Sequence, residues 1–161
     1  MTLRVALIIL VGLAAVVEDM GWRRISNWTS CGAVLAGLIV HGMEKGWSGV
    51  LHSFLGTLIG FGVFLVFYLL GGMGGGDVKL MAGFGALLGD RLILPAALLA
   101  AATGGVMALG FLAVRSAARR SKVWLGIAVS DPASNAVKSG ESIPYAPAIT
   151  AGAWLALVSD L

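Results

Sequence analysis

The chain has 161 residues, 58% of them hydrophobic and only 12% charged, with a mean hydropathy of +0.95. A soluble domain usually carries about 25% charged residues, so this composition cannot cover itself with polar surface, and lipid has to be its solvent. The net charge of +3 does not call for nucleic acid, because the positive-inside bias of membrane proteins accounts for it.

The length fits one domain, residues 1–161. Cys31 is the single cysteine, which excludes an internal disulfide and a CxxC zinc knuckle. The 24 glycines suit membrane helices, where small residues let backbones approach closely.

Hydropathy predicts an all-α, polytopic membrane protein with about six transmembrane helices. The first span covers residues 1–17. It is apolar like a signal peptide, but Glu18 and Asp19 follow directly with no small-x-small cleavage site, so it reads as a retained helix. The second and third spans cover residues 28–43 and 47–70. A run of glycines follows, Gly71-Gly72-Met73-Gly74-Gly75-Gly76, and then Asp77. A short apolar piece at 78–89 is the fourth span, interrupted by Asp90 and Arg91. The fifth covers 92–114, and the sixth 143–159. Between them, residues of about 115–142 read as a polar cytoplasmic loop. Several spans are near the lower limit of the ~17–25 residues that cross a bilayer.

Six spans put the 1–2, 3–4 and 5–6 connections on one side of the membrane. That side carries eight of the Lys and Arg residues: Arg23, Arg24, Lys79, Arg115, Arg119, Arg120, Lys122 and Lys138. The other side carries three, Arg4, Lys45 and Arg91. The richer side is expected to be cytoplasmic. Trp22, Trp28, Trp47 and Trp124 lie near span ends, where an indole is half solvated.

This topology brings two carboxylates to one face. Asp19 ends the first span and Asp77 begins the fourth. Asp77 follows three glycines, which permit positive φ and leave no side chain beside the backbone. A positive φ at Gly74 or Gly76, or close passage of a substrate backbone, would exclude a β-branched residue there. The fourth span has about 12 residues, ~18 Å of helix against a ~30 Å hydrocarbon core. With Asp90 and Arg91 at the outer surface, Asp77 then lies below the inner one. The competing reading of Asp77 is a helix cap on a surface connection. Asp19 has the negative end of its own helix dipole beside it, which disfavours a carboxylate; the competing reading is an ordinary interfacial charge.

As a pair the two acids suit aspartyl protease chemistry, in which neighbouring carboxyls share one proton, and water is activated without a metal or other cofactor. The sequence around them resembles a known family. Gly74-Gly75-Gly76-Asp77-Val78-Lys79-Leu80 matches the GxGD signature of type IV prepilin peptidases. Asp19 followed by Arg23-Arg24-Ile25-Ser26-Asn27 resembles their first aspartate motif, with Ser26 in place of the usual proline. Ile143-Pro144-Tyr145-Ala146-Pro147 is similar to the proline-containing start of their last helix. The chain lacks the cysteine-bearing extension of the long, bifunctional forms. It is similar to the short forms that serve tight-adherence (Flp-type) pili, or to archaeal preflagellin peptidases.

The resemblance implies an intramembrane aspartyl endopeptidase in the cytoplasmic membrane of a prokaryote. Asp19 and Asp77 would be catalytic, and Gly74, Gly76 and Lys79 would shape the loop or bind substrate. The implied partner is a pilin-like precursor with a basic leader in the cytoplasm and an apolar helix in the bilayer. Lys79 would orient substrate or act on Asp77, or else is a snorkelling interfacial lysine. Glu44, Asp90, Asp160, His41 and His52 fall near the outer face, with no metal-ligand spacing to the aspartates. The glycine run lacks the Gly-Lys-Ser/Thr ending of a phosphate-binding loop. Two other functions compete: a small proton- or ion-coupled transporter, and a non-enzymatic membrane assembly subunit.

Overall fold

The computed structural model describes residues 2–124 and 145–158, and among these the only regular structure is helix. The elements are α1 (Thr2–Trp22), α2 (Asn27–Leu69), α3 (Gly75–Leu88), α4 (Asp90–Trp124) and α5 (Ala146–Val158). The second and third expected spans form α2, 43 residues in two helical limbs. It contains a reversal. Gly46 has φ +61 and ψ −143, a conformation open to glycine and costly for other residues.

The contacts on either side of Gly46 show the direction of each limb. In residues 27–45, Ala33 meets Gly83, Gly37 meets Ala86 and His41 meets Leu87, so this limb runs alongside α3 in the same direction. In residues 47–69, Ser53 Oγ donates to the Ala86 carbonyl at 2.8 Å, Gly56 meets Gly85 and Gly60 meets Met81, so the second limb runs opposite. The two limbs clasp α3 between them.

Beyond Lys79, α3 is apolar on every face, and a helix of that kind needs enclosure. Of its 14 residues, all but Gly75, Gly76 and Lys79 are buried. Phe84, Leu80, Met81 and Leu87 are fully buried and join Phe64, Ile93 and Ile149 in one core. Glycine makes this closeness possible where it matters most: a Cβ on Gly85 would collide with the Gly56 backbone, and one on Gly56 would collide with that of Gly85.

On the other side of α3, α5 packs against α4 and α1. Thr103 Oγ1 donates to the Ala148 carbonyl at 3.0 Å, and Trp154 Nε1 donates to the Ile8 carbonyl at 3.4 Å. The outward faces are strongly apolar, with Leu10 63%, Leu98 72% and Val106 72% exposed. Soluble monomers rarely expose continuous apolar surface of this kind. Asn27–Leu69 and Asp90–Gly110 are each long and apolar enough to cross a bilayer.

α4 continues as helix to Trp124, through the first residues of the stretch read as a loop from 115. Its Arg115-Ser-Ala-Ala-Arg-Arg sequence is rich in good helix formers, so loss of hydrophobicity there does not end the helix. The rest of that stretch, from 125 to 142, and Asp160 lie outside the described residues. The last helix, α5, has 13 residues, about 20 Å at 1.5 Å per residue.

The α2–α3 clasp predicts a sharp contrast. Gly85→Val should overpack the seam and cost about 1–3 kcal/mol, read as a lower thermal midpoint in detergent. Gly62→Ala, where an added methyl meets open space, should leave the midpoint unchanged or raise it.

Candidate active site

One end of the bundle gathers the C-terminal end of α1, both ends of α2, and the N-termini of α3 and α5. A cavity of about 680 Å³ opens there, lined by Asp19, Asp77, the segment 71–76, Arg23, Lys79 and Tyr145, among others. Asp19 and Asp77 are 58 positions apart in sequence and come from different helices, yet both line this cavity. Both are largely buried, at 9% and 7% exposed. They are near enough for the charge of Asp19 to act on Asp77.

Asp19 sits in the last turn of α1, which runs on to Trp22. Its Oδ2 accepts the backbone N–H of Ala146 at 3.1 Å. Ala146 is the first residue of α5, so the positive end of that helix dipole faces the carboxylate and offsets the negative end of α1. The sequence places Asp19 against one helix end; only the fold supplies the second.

Asp77 lies in the first turn of α3. Its Oδ2 accepts the Gly74 N–H at 3.2 Å, and its own N–H donates to the Gly74 carbonyl at 3.1 Å. It therefore caps α3, as one of the two readings of its position held. The cap engages a single oxygen: among the described residues, Oδ1 of Asp77 and Oδ1 of Asp19 accept no hydrogen bond. Among the described residues each acid is thus fixed through one oxygen.

The glycine run is more regular than a loop of non-helical backbone. It consists of two helix caps back to back. Gly71, at φ +77, donates to the Tyr68 carbonyl at 2.9 Å, and Gly72 donates to the Phe67 carbonyl at 3.0 Å. This pair of bonds is the Schellman ending of a helix, with glycine at its left-handed position. Gly74 then starts α3 with φ −81 and ψ 153, and Gly75 and Gly76 are helical. The positive φ anticipated at Gly74 or Gly76 is at Gly71 instead, because the left-handed residue is needed to end α2 and not to begin α3. Gly74 and Gly76 do line the cavity, where an added Cβ at Gly76 would come to 3.4 Å from Ile25 Cβ, an ordinary contact.

Lys79 is exposed at the rim. Its Nζ donates to Asn27 Oδ1 at 2.9 Å, and among the described residues it forms no ion pair with Asp77.

Two contributors were not singled out from the sequence. Glu18 accepts the Ser26 N–H at 2.7 Å and the Thr29 hydroxyl at 2.6 Å, and so ties the α1–α2 connection to the turn that carries Asp19. Its position beside Asp19 gave it the look of a second interfacial charge. Tyr145 lines the cavity just ahead of α5. Ser26 itself has φ −64, the value a proline would impose, so the substitution keeps the turn. It also adds an N–H for Glu18 that proline lacks. Arg23 adopts φ +51 and donates its N–H to the Asp19 carbonyl at 3.0 Å, ending α1 in a left-handed conformation unusual for a residue with a Cβ.

Among the described residues no group of three or more His, Cys, Asp or Glu side chains is arranged to hold a metal ion.

An all-helical, membrane-associated protein with two buried carboxylates in one terminal cavity is the class these observations define. The family model of the type IV leader peptidase family matches residues 6–109, and the chain belongs to that family. It is a peptidase, and the match contains both Asp19 and Asp77. The family assignment favours neither the transporter nor the assembly-subunit reading. No curated protein and no solved structure gives a match.

The two-cap geometry makes a prediction about stability. Gly71→Ala should cost about 1–2 kcal/mol, because a Cβ disfavours the left-handed conformation. Gly76→Ala should be neutral or slightly stabilising, as alanine favours a helix over glycine by roughly 1 kcal/mol. Thermal melts of the two purified variants in detergent decide between this arrangement and a run in which Gly76 is the strained residue.

Proposed function

We propose that this chain is an aspartyl endopeptidase that removes the leader from pilin-like precursors, with Asp19 and Asp77 as its catalytic pair. One observation carries the reading: two buried carboxylates from distant parts of a leader-peptidase sequence line a single cavity, each tethered through one oxygen.

The chemistry follows from the pair. Two interacting carboxyls do not both ionise readily, so one holds a proton while the other is charged. The charged one takes a proton from a water molecule, whose oxygen attacks the scissile carbonyl carbon. The protonated one donates to the carbonyl oxygen. The proton taken from water then passes to the leaving amide nitrogen as the C–N bond breaks, a hydroxyl of the tetrahedral diol returns its proton to the other carboxylate as the carbonyl re-forms, and the pair is singly protonated again. No cofactor takes part. The tethers to Ala146 and Gly74 hold the carboxyls in place, which is what positioning contributes to such a step.

Gly74, Gly76 and Lys79 stand on the substrate side of this proposal. The glycines present bare backbone to the cavity, and Lys79 sits at its rim. The substrate is a precursor with a basic leader and an apolar helix, as the resemblance to prepilin peptidases implies. In this reading the six helical segments, counting the limbs of α2 separately, cross the inner membrane of a prokaryote. The Lys and Arg distribution supports a cavity on the cytoplasmic side.

Asp19→Asn and Asp77→Asn should each lower cleavage of a pilin precursor by at least about a hundredfold, the lower range for removing a general acid or base. Both variants should still extract and melt as folded protein. Substantial cleavage by either would sink the assignment. For topology, Cys31 is first replaced by serine. Gly72→Cys, at the cavity end, should then react only with reagents that reach the cytoplasm, and Ser48→Cys, at the opposite end, with reagents added outside; the reverse pattern would put the cavity on the wrong side.

A further inference from the structure

The end of the bundle opposite the aspartates holds a second polar cavity, of about 180 Å³. It forms where the start of α1, the reversal of α2 at Gly46 and the α3–α4 junction meet. Its charged and imidazole-bearing wall residues are Arg4, Lys45, Arg91, Asp90, His41 and His52. The volume is several times the ~30 Å³ share of one water, enough for a tetrahedral oxyanion.

The charges in this cavity do not balance. Asp90 is its only carboxylate, and Oδ1 of Asp90 is held by His52 Nδ1 at 2.8 Å. Among the described residues, Arg4, Lys45 and Arg91 form no ion pair, because His52–Asp90 is the one pair there. Three cationic residues, the exposed Lys45 and Arg91 among them, therefore border a space whose single carboxylate is already engaged.

Two buried nitrogens in the wall lack partners as well. Nε of Arg4 is buried without an acceptor. His41 is 4% exposed and its Nε2–H donates to the Leu87 carbonyl at 3.1 Å, so its unpartnered Nδ1 is an acceptor and takes no part in holding an anion; the orphan donor is Nε of Arg4. Buried polar atoms are nearly always satisfied, so an orphan in a polar cavity points to a missing partner. A guanidinium edge with a free Nε–H suits an oxyanion, which can take two parallel hydrogen bonds from it. The first turn of α4, Asp90 to Leu92, forms another wall, and N–H groups at a helix start have no acceptor within the helix. The surroundings are apolar and exposed: Leu3 at 56%, Met43 and Trp47 each at 77%. An exposed tryptophan beside cations is the pattern of a bilayer interface.

We propose that this cavity is a binding site for a phosphate group, held by Arg4, Lys45 and Arg91. An anionic phospholipid headgroup and free inorganic phosphate share that chemistry, whereas phosphatidylcholine would bring its choline cation among Arg4, Lys45 and Arg91. The ligand would pin the start of α1 to the reversal of α2 and the α3–α4 junction. The site is separate from the aspartate cavity and does not depend on what that cavity cleaves.

The test uses the whole protein, purified in an uncharged detergent. Its thermal midpoint is followed while short-chain phosphatidylglycerol, phosphatidylcholine or inorganic phosphate is titrated in, with sodium chloride at matched ionic strength. Phosphatidylglycerol should raise the midpoint saturably, as a ligand of the folded state does, while phosphatidylcholine and chloride should not. The double variant Arg4→Gln/Arg91→Gln should need about tenfold more ligand for the same shift, the cost of a lost charge-assisted contact. Lys45→Gln, at an exposed side chain, guards against misfolding of the double variant and should also weaken the shift, whereas Arg91→Lys should keep most of it. A saturable shift with inorganic phosphate as well assigns the site to free oxyanion; a shift with phosphatidylglycerol alone assigns it to the headgroup. An equal shift with phosphatidylcholine, no shift at all, or unchanged titrations in both the double variant and Lys45→Gln would overturn the proposal.

Discussion

The enclosure of α3 is the constraint on which the rest of the structure depends. A 14-residue helix whose residues 80–88 are all apolar is too short to be held by one neighbour and too apolar to face water. Both limbs of α2 therefore close on it, α4 and α5 cover its other sides, and the glycine contacts at Gly56 and Gly85 set the spacing. Once α3 is fixed, so is Asp77 in its first turn. The same enclosure brings the end of α1 and the start of α5 to the rim of that turn, which is how Asp19 arrives.

The two carboxylates are held by different means with a common result. Asp77 is fastened locally, to a residue three positions earlier. Asp19 is fastened across the fold, to a backbone N–H 127 positions later. Among the described residues each bond engages one oxygen of its carboxylate. A buried acid with both oxygens satisfied would be structural, and one with neither satisfied would be costly to bury. One tether each, among the described residues, lies between these and keeps both carboxyls ordered at the cavity wall.

The caps around the site carry much of its precision. Gly71 ends α2 and Gly74 starts α3, so only Gly72 and Met73 lie between two helix termini. Arg23 ends α1 at φ +51, and Glu18 holds the turn that follows. The segments that look loosest in the sequence are thus closely specified by hydrogen bonds. A membrane protein has reason for this, because backbone groups left open near the bilayer have little water to satisfy them.

Much of this protein was determined by its sequence alone. Its apolar composition fixes helix as the secondary structure, since helices satisfy their own backbone in lipid. The order of spans fixes which residues share an end, and so pairs Asp19 with Asp77 across 58 positions. Glycine before Asp77 marks the start of α3. Other features were decided only in three dimensions. Hydropathy reports polarity along the chain and is blind to φ, so it could not distinguish a flexible glycine loop from two abutting caps, nor find the left-handed residue at Gly71. It could not extend α4 past residue 115, because a helix can outlast its hydrophobic stretch. The partner of Asp19 at Ala146, the grip of Glu18 on Ser26, and the convergence of Arg4, Lys45 and Arg91 all join residues from separate helices. Contacts of that kind come from packing, and local pattern carries no record of them.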